Sequence, residues 1–391
     1  MFDALSPQPA DSLLALIKAF ESDGRQGKID LGVGVYRDAN GVTPVMKAVK
    51  EAERILLETQ ESKRYLGPEG DMAYVALLKP YIFGASADFG GRLTGLQTPG
   101  GTGALRLGAE LAHAANPSAE VWLGTPSWPN HAPIFKAAHV AIQAYKFVDL
   151  AAQKVDFDSV RHALGAAKAG DVVLLHGCCH NPTGMGFSVD QWKEIAEVLA
   201  ARKLIPFIDL AYQGLGDGLD EDAAAMRLIV NSVDEALVAY SCDKNFGLYR
   251  DRVGALYVLA RDASQTATVA SNLAALSRVN WSMPPDHGAA VVRIILESPS
   301  LIPIWLNELT GMRERINGNR AALSAANPAL AFVSNQRGLF SNLHMTKQQA
   351  GAMRSEHAIY LPDSGRINVA GMQPGDASVI VAALKAVGAL A

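Results

Sequence analysis

The sequence predicts an α/β protein with a mainly parallel central sheet covered by helices on both faces. Between residues 97 and 260, short apolar runs alternate with helical stretches, the pattern of parallel strands joined by crossover helices. The chain has 391 residues, 49% of them hydrophobic, enough for a large core and, by length, for two domains. The predicted strands are Val121–Gly124, Val140–Tyr145, Val172–His176, Ile205–Asp209, Leu237–Tyr240 and Ala255–Leu259.

Three helices are predicted from apolar residues at helical spacing. The first follows Pro44, the second begins at a capping box of Ser188 and Gln191, and the third spans residues 301–325. Their predicted buried residues are Met46, Val49, Ala52 and Leu56, then Trp192, Ile195 and Leu199, then Trp305, Leu309, Met312 and Ile316.

The alternation of strands and helices stops near residue 300. A long helix and several short apolar segments follow, which indicates a smaller α+β unit. We therefore expect a large domain over residues 45–311. The small domain would combine residues 1–44 with residues 312–391.

Composition and charge exclude several classes of function. The 35 basic and 39 acidic residues give a formal net charge of -4, so no basic surface for nucleic acid is predicted. No apolar run is long enough for a bilayer span, and the first residues lack the pattern of a signal peptide. Three cysteines make no disulfide framework, which favours a reducing compartment. We expect a soluble, cytoplasmic protein.

The stretch from Ala239 to Gly254 brings a hydroxyl, an amine and a guanidinium to the end of one predicted strand. These groups belong to Ser241, Lys244 and Arg252 and suit a phosphate with an amine beside it. An amine that forms a Schiff base must be partly neutral, which requires burial or a cationic neighbour. Lys244 fits that requirement, although a lone loop lysine is more often an ordinary surface residue.

Polar residues also follow two neighbouring predicted strands, as residues 176–184 (HGCCHNPTG) and 209–214 (DLAYQG). Ligands of open α/β sheets bind at these carboxyl ends. Residues 98–104 (TPGGTGA) precede a helix whose first N–H groups could bind a phosphate. A nucleotide-binding fold is not supported, because the segment contains neither the dinucleotide fingerprint nor a P-loop lysine. Taken singly, Asp209 is also explained as a helix cap, and Asn181 with the following proline as a plain turn.

A metal site is the alternative interpretation of the four residues His176, Cys178, Cys179 and His180. We do not expect one, because adjacent cysteines on an extended strand point to opposite sides and no second ligand cluster follows. The predicted site therefore contains no metal.

Nine segments carry the unusual polar residues of this chain: LGVGVYRD, KRYLGPEG, TPGGTGALR, PSWPNH, HGCCHNPTG, IDLAYQG, DKNFGLYRDRVG, SMPPDHGA and SGRINVAGM. In this order they resemble the class I, fold-type I aminotransferases that use pyridoxal 5′-phosphate (PLP), specifically the aspartate and aromatic amino acid aminotransferases. The resemblance covers nearly the whole chain. It implies PLP as cofactor, a large domain with a mainly parallel sheet plus a smaller α+β domain, and a homodimer with shared active sites.

The resemblance also implies three catalytic residues, Lys244, Asp209 and Tyr212. Lys244 would form the Schiff base and later carry a proton, while Asp209 would keep the pyridine nitrogen of the cofactor protonated. Tyr212 and Asn181 would hydrogen-bond the ring oxygen, and Trp128 would stack on the ring. His131 would lie behind Asp209 and support it. Further implied cofactor residues are the phosphate ligands Gly101, Thr102, Ser241 and Arg252, and Tyr65 from the neighbouring subunit.

The substrate site implied by the resemblance contains two arginines. Arg366 would pair bidentately with the α-carboxylate, a geometry that lysine cannot match. Arg278 of the other subunit would meet the distal carboxylate of aspartate or glutamate. The residues expected to line the substrate space are Val33, Gly34, Trp128, Asn181 and Phe340, with Ser282 and Met283 next to them.

Two residues depart from the family pattern. Asp243 occupies a position where members usually carry serine, and a carboxylate near a phosphate is unfavourable unless it points away or pairs with a cation. Met283 occupies a position where aspartate-specific members usually carry asparagine. An adaptable apolar side chain there suits a pocket that also accepts aromatic side chains.

These features predict a homodimeric PLP-dependent aminotransferase with a ping-pong mechanism. Aromatic amino acids, aspartate and glutamate would donate the amino group, and 2-oxoglutarate or another oxo acid would accept it. The nearest competing hypothesis is a narrow aspartate aminotransferase. PLP-dependent elimination or decarboxylation would be a different reaction of the same cofactor. A PLP-binding transcriptional regulator is disfavoured, because the motifs begin by residue 31 and leave no room for a DNA-binding region.

Overall fold

The computed structural model describes residues 2–7 and 12–390, so residues 1, 8–11 and 391 of the predicted small domain lie outside it. The strands are β1 (Ile29–Asp30), β2 (Leu93–Pro99), β3 (Glu120–Thr125), β4 (Ala141–Lys146), β5 (Val148–Asp149), β6 (Lys154–Val155), β7 (Val172–His176), β8 (Ile205–Leu210), β9 (Ala236–Ser241), β10 (Val253–Leu259), β11 (Phe340–Asn342), β12 (Ile359–Tyr360) and β13 (Arg366–Asn368).

The α-helices are α1 (Ser12–Ser22), α2 (Lys47–Thr59), α3 (Met72–Phe83), α4 (Gly100–Ala115), α5 (His131–Ala137), α6 (Phe157–Ala166), α7 (Val189–Arg202), α8 (Leu219–Ser232), α9 (Ala263–Trp281), α10 (His287–Glu297), α11 (Leu301–Ala326), α12 (Lys347–His357) and α13 (Asp376–Ala386). Short 3-10 helices cover Phe2–Ala4, Pro328–Asn335 and Val369–Gly371.

A seven-stranded sheet forms the centre of the fold. Its strand order is β2-β10-β9-β8-β7-β3-β4. β10 runs antiparallel to both of its neighbours, and all other adjacent strands in this sheet are parallel. The predicted α/β class with a mainly parallel sheet is therefore confirmed.

All six predicted strands form, with ends that move by no more than two residues. The sequence did not predict β2, because Gly95 and Pro99 are poor strand formers and interrupt its apolar pattern. β2 forms nevertheless, because it pairs along its whole length with β10. Tertiary pairing thus overrides a weak local preference.

The three predicted helices are confirmed as α2, α7 and α11. The capping box at the start of α7 is present, with the Ser188 hydroxyl accepting from Gln191 N–H and the Gln191 side chain accepting from Ser188 N–H. α11 runs for 26 residues and buries its predicted face. Its side chain Trp305 stacks on Phe246 with ring centroids 4.4 Å apart, which fixes α11 against the loop after β9.

Two large apolar clusters cover the two faces of the central sheet. Successive residues of β7 show the division, since Val173 and Leu175 join one cluster and Val172 and Leu174 join the other. Side chains alternate along a strand, so an all-apolar strand is expected where helices cover both faces. Because β7, β8 and β9 are adjacent and parallel, their carboxyl ends lie together at one edge of this buried sheet.

A third apolar cluster lies around β1, β12, α12 and α13. β1 pairs in parallel with β12, so chain segments separated by more than 300 residues meet here. This cluster draws its residues from both ends of the chain, as the predicted small domain does. The boundaries at residues 44/45 and 311/312 stay a prediction.

Within the described ranges, no single helix has the length and apolar composition of a membrane span. Counted together, α10 and α11 reach that length and composition, but the two helices are bent by 107° at their junction.

Candidate active site

Lys244 lies in the loop that follows β9, and its side chain is only 20% exposed. Its Nζ is 5.5 Å from the centroid of the Tyr212 ring and 3.9 Å from Asp243 Oδ2. Burial lowers the pKa of Lys244 below that of an ordinary lysine, although the carboxylates of Asp243 and Asp209 oppose the shift. The surface-lysine alternative is therefore wrong, and the amine has the setting that a nucleophile needs.

Asp209, on β8, is held by a hydrogen-bonded series of two side chains, His131 and Ser127. His131 Nε2 donates to Asp209 Oδ2 over 3.0 Å, and Ser127 Oγ lies 2.7 Å from His131 Nδ1. Burial would raise the pKa of Asp209, but the hydrogen bond from His131, with a smaller contribution from Lys244, outweighs it and lowers the pKa. Asp209 is thus a buried carboxylate in a fixed orientation.

Asn181, Tyr212 and Trp128 lie around this carboxylate and amine. Asn181 Nδ2 is 3.4 Å from the Tyr212 hydroxyl, and Asn181 Oδ1 is buried with no hydrogen-bond partner among the described residues. The Trp128 ring meets His131 edge-on, with centroids 5.2 Å apart. The unpartnered amide oxygen identifies a polar surface that a bound molecule would complete.

The start of α4 forms a cradle next to Ser241 and Arg252. Gly101 and Thr102 lie in the first turn, where backbone N–H groups lack partners inside the helix. A Cβ at Gly100, whose φ is +68°, would lie 2.6 Å from Arg252 Nη2, and a Cβ at Gly101 would lie 3.2 Å from Ser241 Cβ. Glycine therefore lets the helix start approach these two side chains.

Asp243 pairs with a cation, as the sequence required of a carboxylate at this position. Its Oδ2 accepts from Arg252 Nη1, and its Oδ1 accepts from Val253 N–H over 3.1 Å. The Asp243 side chain is 2% exposed, whereas that of Arg252 is 40% exposed. The guanidinium therefore contacts the carboxylate on one side and lies close to Gly100 at the start of α4 on another.

Arg366 lies on β13, over the ring of Phe340, with its guanidinium carbon 4.4 Å from the ring centroid. Arg366 Nη2 donates to Gly32 O over 2.6 Å, and Nε is buried with no hydrogen-bond partner in the part of the chain that the structure describes. Burial lowers the pKa of Arg366 from its ordinary value. A Cβ at Gly34 would lie 2.6 Å from Phe340 Cζ, so the loop packs closely on this ring. Val33 lies in the same loop.

Contacts connect these predicted residues into one group. Phe340 meets Tyr212 edge-on at 6.1 Å between centroids, which links the arginine side to the lysine side. The residues brought together are Val33, Gly34, Gly101, Thr102, Trp128, His131, Asn181, Asp209, Tyr212, Ser241, Lys244, Arg252, Phe340 and Arg366.

Four predicted residues lie elsewhere. Tyr65 is 90% exposed, and within residues 2–7 and 12–390 no hydrogen bond or ring contact joins it to this group. Arg278 is exposed in the last turn of α9, and among the described residues its side chain hydrogen-bonds only Ser282 Oγ, at 3.4 Å. Met283, half-buried, follows Ser282. One chain therefore does not bring Tyr65 and Arg278 to Lys244.

The geometric reason given against a metal site is wrong for the two cysteines. Cys178 and Cys179 follow β7 rather than extending it, and Cys179 has a φ of +50°. Their sulfur atoms and a carboxylate oxygen of Asp222 lie within 4.8 Å of one another, as do ligand atoms of His131, His176 and Asp209. Asp222, however, already accepts from three backbone N–H groups. The absence of a metal stays a prediction.

Sequence reasoning missed two supporting residues. Ser127 holds His131, and Asn368 donates to the carbonyl oxygens of Val33 and Val35 over 2.5 and 2.7 Å. Both lie in segments with unusual polar residues, PSWPNH and SGRINVAGM. Their positions were therefore visible in the sequence, but their partners were not.

Comparison with known proteins identifies the family. The sequence model of the family aminotransferase class I and II matches residues 26–384. The chain is 51% identical to a tyrosine aminotransferase of Rhizobium meliloti (97% of this chain and 98% of that protein). It is 41% identical to an aspartate aminotransferase of Escherichia coli (99% of this chain and 100% of that protein).

A solved structure is also similar over its whole length. It is an aromatic-amino-acid aminotransferase from Burkholderia pseudomallei covalently bound to pyridoxal phosphate, 38% identical, with a TM-score of 0.96 over 99% of each chain. The match confirms the predicted fold type. With its buried lysine and hydrogen-bonded aspartate at the carboxyl edge of the sheet, this chain belongs to the class I and II aminotransferase family.

Proposed function

We propose that this protein is a PLP-dependent aminotransferase for aromatic amino acids, aspartate and glutamate, with 2-oxoglutarate or another oxo acid as acceptor. The observation that carries the proposal is the series of contacts that leads from the lysine to the substrate arginine, with the aspartate close enough to act on the lysine electrostatically. Lys244 lies over the Tyr212 ring and is influenced by the charge of Asp209, and Phe340 connects Tyr212 to Arg366. The relatives named above act, by their names, on tyrosine and on aspartate.

The residues present fit PLP. Within residues 2–7 and 12–390, Asn181 Oδ1 and Arg366 Nε are buried without hydrogen-bond partners, and the glycines at the start of α4 let it approach Ser241 and Arg252 closely. When bound there, the cofactor supplies an electron sink for charge that develops at the substrate carbon. The proposed ligands of its phosphate are Gly101, Thr102, Ser241 and Arg252. The proposed ring contacts are Trp128, Asn181, Asp209 and Tyr212.

The chain's own groups then have separate tasks. Lys244 Nζ, with its lowered pKa, accepts and returns the proton of the substrate α-carbon. Asp209, oriented by His131, holds a proton on the ring nitrogen through charge and hydrogen bonding. Arg366 orients the α-carboxylate with N–H groups on its guanidinium, which the packing on Phe340 keeps in place.

The distal end of the substrate requires a second chain. Arg278 and Tyr65 are exposed, and we propose that they act in the site of the partner in a homodimer. Val279, next to Arg278, is 86% exposed, which is unusual for a large aliphatic side chain and supports an interface there. We further propose a cytoplasmic location, supported by three free cysteines.

Two measurements test the function. Borohydride reduction of the holoenzyme followed by peptide mapping is expected to find the cofactor on Lys244, and a label on another lysine contradicts the site. Steady-state kinetics with phenylalanine, tyrosine and aspartate as donors to 2-oxoglutarate is expected to give turnover with all three. Turnover with aspartate alone would establish the narrow aspartate aminotransferase instead.

A further inference from the structure

A buried carboxylate lies on the guanidinium that we propose as a phosphate ligand. Asp243 Oδ2 accepts from Arg252 Nη1, and Oδ1 accepts from Val253 N–H over 3.1 Å. The Asp243 N–H also donates to Ser241 Oγ over 3.2 Å. With 1% of its surface exposed, Asp243 has no route to solvent and must keep its charge balanced inside the cradle.

The net positive charge of the cradle is therefore lower than a count of its basic groups suggests. Arg252 contributes one positive charge, and Asp243 contributes one negative charge in contact with it. The start of α4 adds a partial charge of about +0.5. Lys244 Nζ lies 3.9 Å from the same Asp243 Oδ2. The carboxylate is thus shared by the two cations that lie nearest to the proposed phosphate and amine positions.

We propose that Asp243 is a built-in anion that competes with the cofactor's phosphate for Arg252 and replaces it as the counter-charge when the cofactor is absent. The inference rests on the proposed phosphate site. Arg252 is half-exposed, so its guanidinium can contact a phosphate and the carboxylate together, but the two anions repel each other across it. The cofactor-free protein, in turn, keeps its cations paired.

The direction in which cofactor binding changes when Asp243 is removed distinguishes this role from a purely structural one. A carboxylate that only supports the loop would weaken cofactor binding when it is removed, because Val253 N–H would lose this acceptor and Arg252, which also donates to Tyr249 O over 3.2 Å, would lose one of its acceptors. A competing anion gives the opposite result, because its removal frees Arg252 for the phosphate. The structure offers a matched control at the other end of the same strand: Glu235, just before β9, pairs with Arg261 at 2.7 Å and is far more exposed.

The experiment compares Asp243→Ala, Asp243→Asn, Glu235→Ala and Arg252→Ala in the full-length protein after the cofactor is removed. Equilibrium dialysis gives the Kd of pyridoxamine 5′-phosphate, whose binding needs no bond to Lys244, and calorimetry gives the Kd of inorganic phosphate. Phosphate-free pyridoxamine reports the ring contacts alone. Two replacements of Asp243 keep the test decisive if one of them does not fold.

Removing the Asp243 charge is expected to tighten binding of pyridoxamine 5′-phosphate and of inorganic phosphate by about tenfold or more, the scale of one nearby charge. Pyridoxamine binding and the Glu235→Ala variant are expected to match the wild type. Unchanged or weaker phosphate binding in the Asp243 variants, with Arg252→Ala clearly weakened, overturns this inference alone. If Arg252→Ala binds the phosphate as well as the wild type, the proposed phosphate site is wrong and the inference falls with it.

Discussion

The two arginines proposed for the two carboxylates of the substrate differ in burial and in how firmly neighbouring groups hold them. Arg366 is largely enclosed, with its guanidinium over Phe340 and one N–H donated to Gly32 O at 2.6 Å. Arg278 is exposed at the end of α9, and its hydrogen bond to Ser282 Oγ is long, at 3.4 Å. One cation is held by packing, and the other is free to change its direction.

The difference indicates how one site could accept two kinds of side chain. Every amino acid substrate has an α-carboxylate, so the cation for that group gains from a fixed position. Only dicarboxylic substrates need a distal cation, and burying an unpaired arginine against an aromatic ring costs several kcal/mol. An exposed arginine avoids that cost by turning to solvent, while the half-buried Met283 packs against the ring.

The largest effect is expected at the fixed arginine. Arg366→Ala should lower kcat/KM for aspartate and phenylalanine alike by about a thousandfold, or roughly 4 kcal/mol, because it removes a charged bidentate partner of the shared carboxylate. Steady-state kinetics with both donors measures the effect. Arg366→Lys keeps the charge without the bidentate geometry and should recover only part of it. A loss confined to aspartate would reverse the assignment of the two arginines.

An intermediate and selective effect is expected at the exposed arginine. Arg278→Leu should lower kcat/KM for aspartate by about a hundredfold, the scale of a charge-assisted pair, and leave phenylalanine nearly unchanged. Equal losses with both donors would show that Arg278 does not act on the distal carboxylate.

Mixing protomers locates this arginine in the assembly. Lys244→Ala and Arg278→Asp proteins are each expected to be inactive with aspartate. Their hybrids should regain one complete site, provided that subunit exchange is confirmed with labelled protomers. Without recovery, each site would be built from one chain, in conflict with the exposed positions of Tyr65 and Arg278.

The smallest effect is expected next to the distal site. Met283→Asn should lower kcat/KM for phenylalanine severalfold, since burying a polar amide against an aromatic ring costs about 1–2 kcal/mol. Aspartate turnover should change less. The ratio of the two kcat/KM values is the measurement, and a ratio equal to that of the wild type would remove Met283 from the account of specificity.

Sequence patterns predicted the fold wherever the physical cause is local. The face of α11 follows from residues three and four apart, and the capping box of α7 from Ser188 and Gln191 alone. The strands β7, β8 and β9 follow from short apolar runs that burial on both faces requires. β2 escaped prediction, because its stability comes from pairing with β10, about 160 residues away, rather than from its own composition.

By itself the sequence determined the element pattern, the polar segments at the strand ends and, through its resemblance to a family, the residue types of the site. Tertiary structure alone decided which of them meet. Arg366 reaches Gly32 across 334 positions, Asp209 reaches His131 across 78, and Asp243 takes Arg252 as its partner. The reason is physical: capping and periodicity act within a few residues, whereas the burial and pairing of charges depend on which distant segments the packed core brings together.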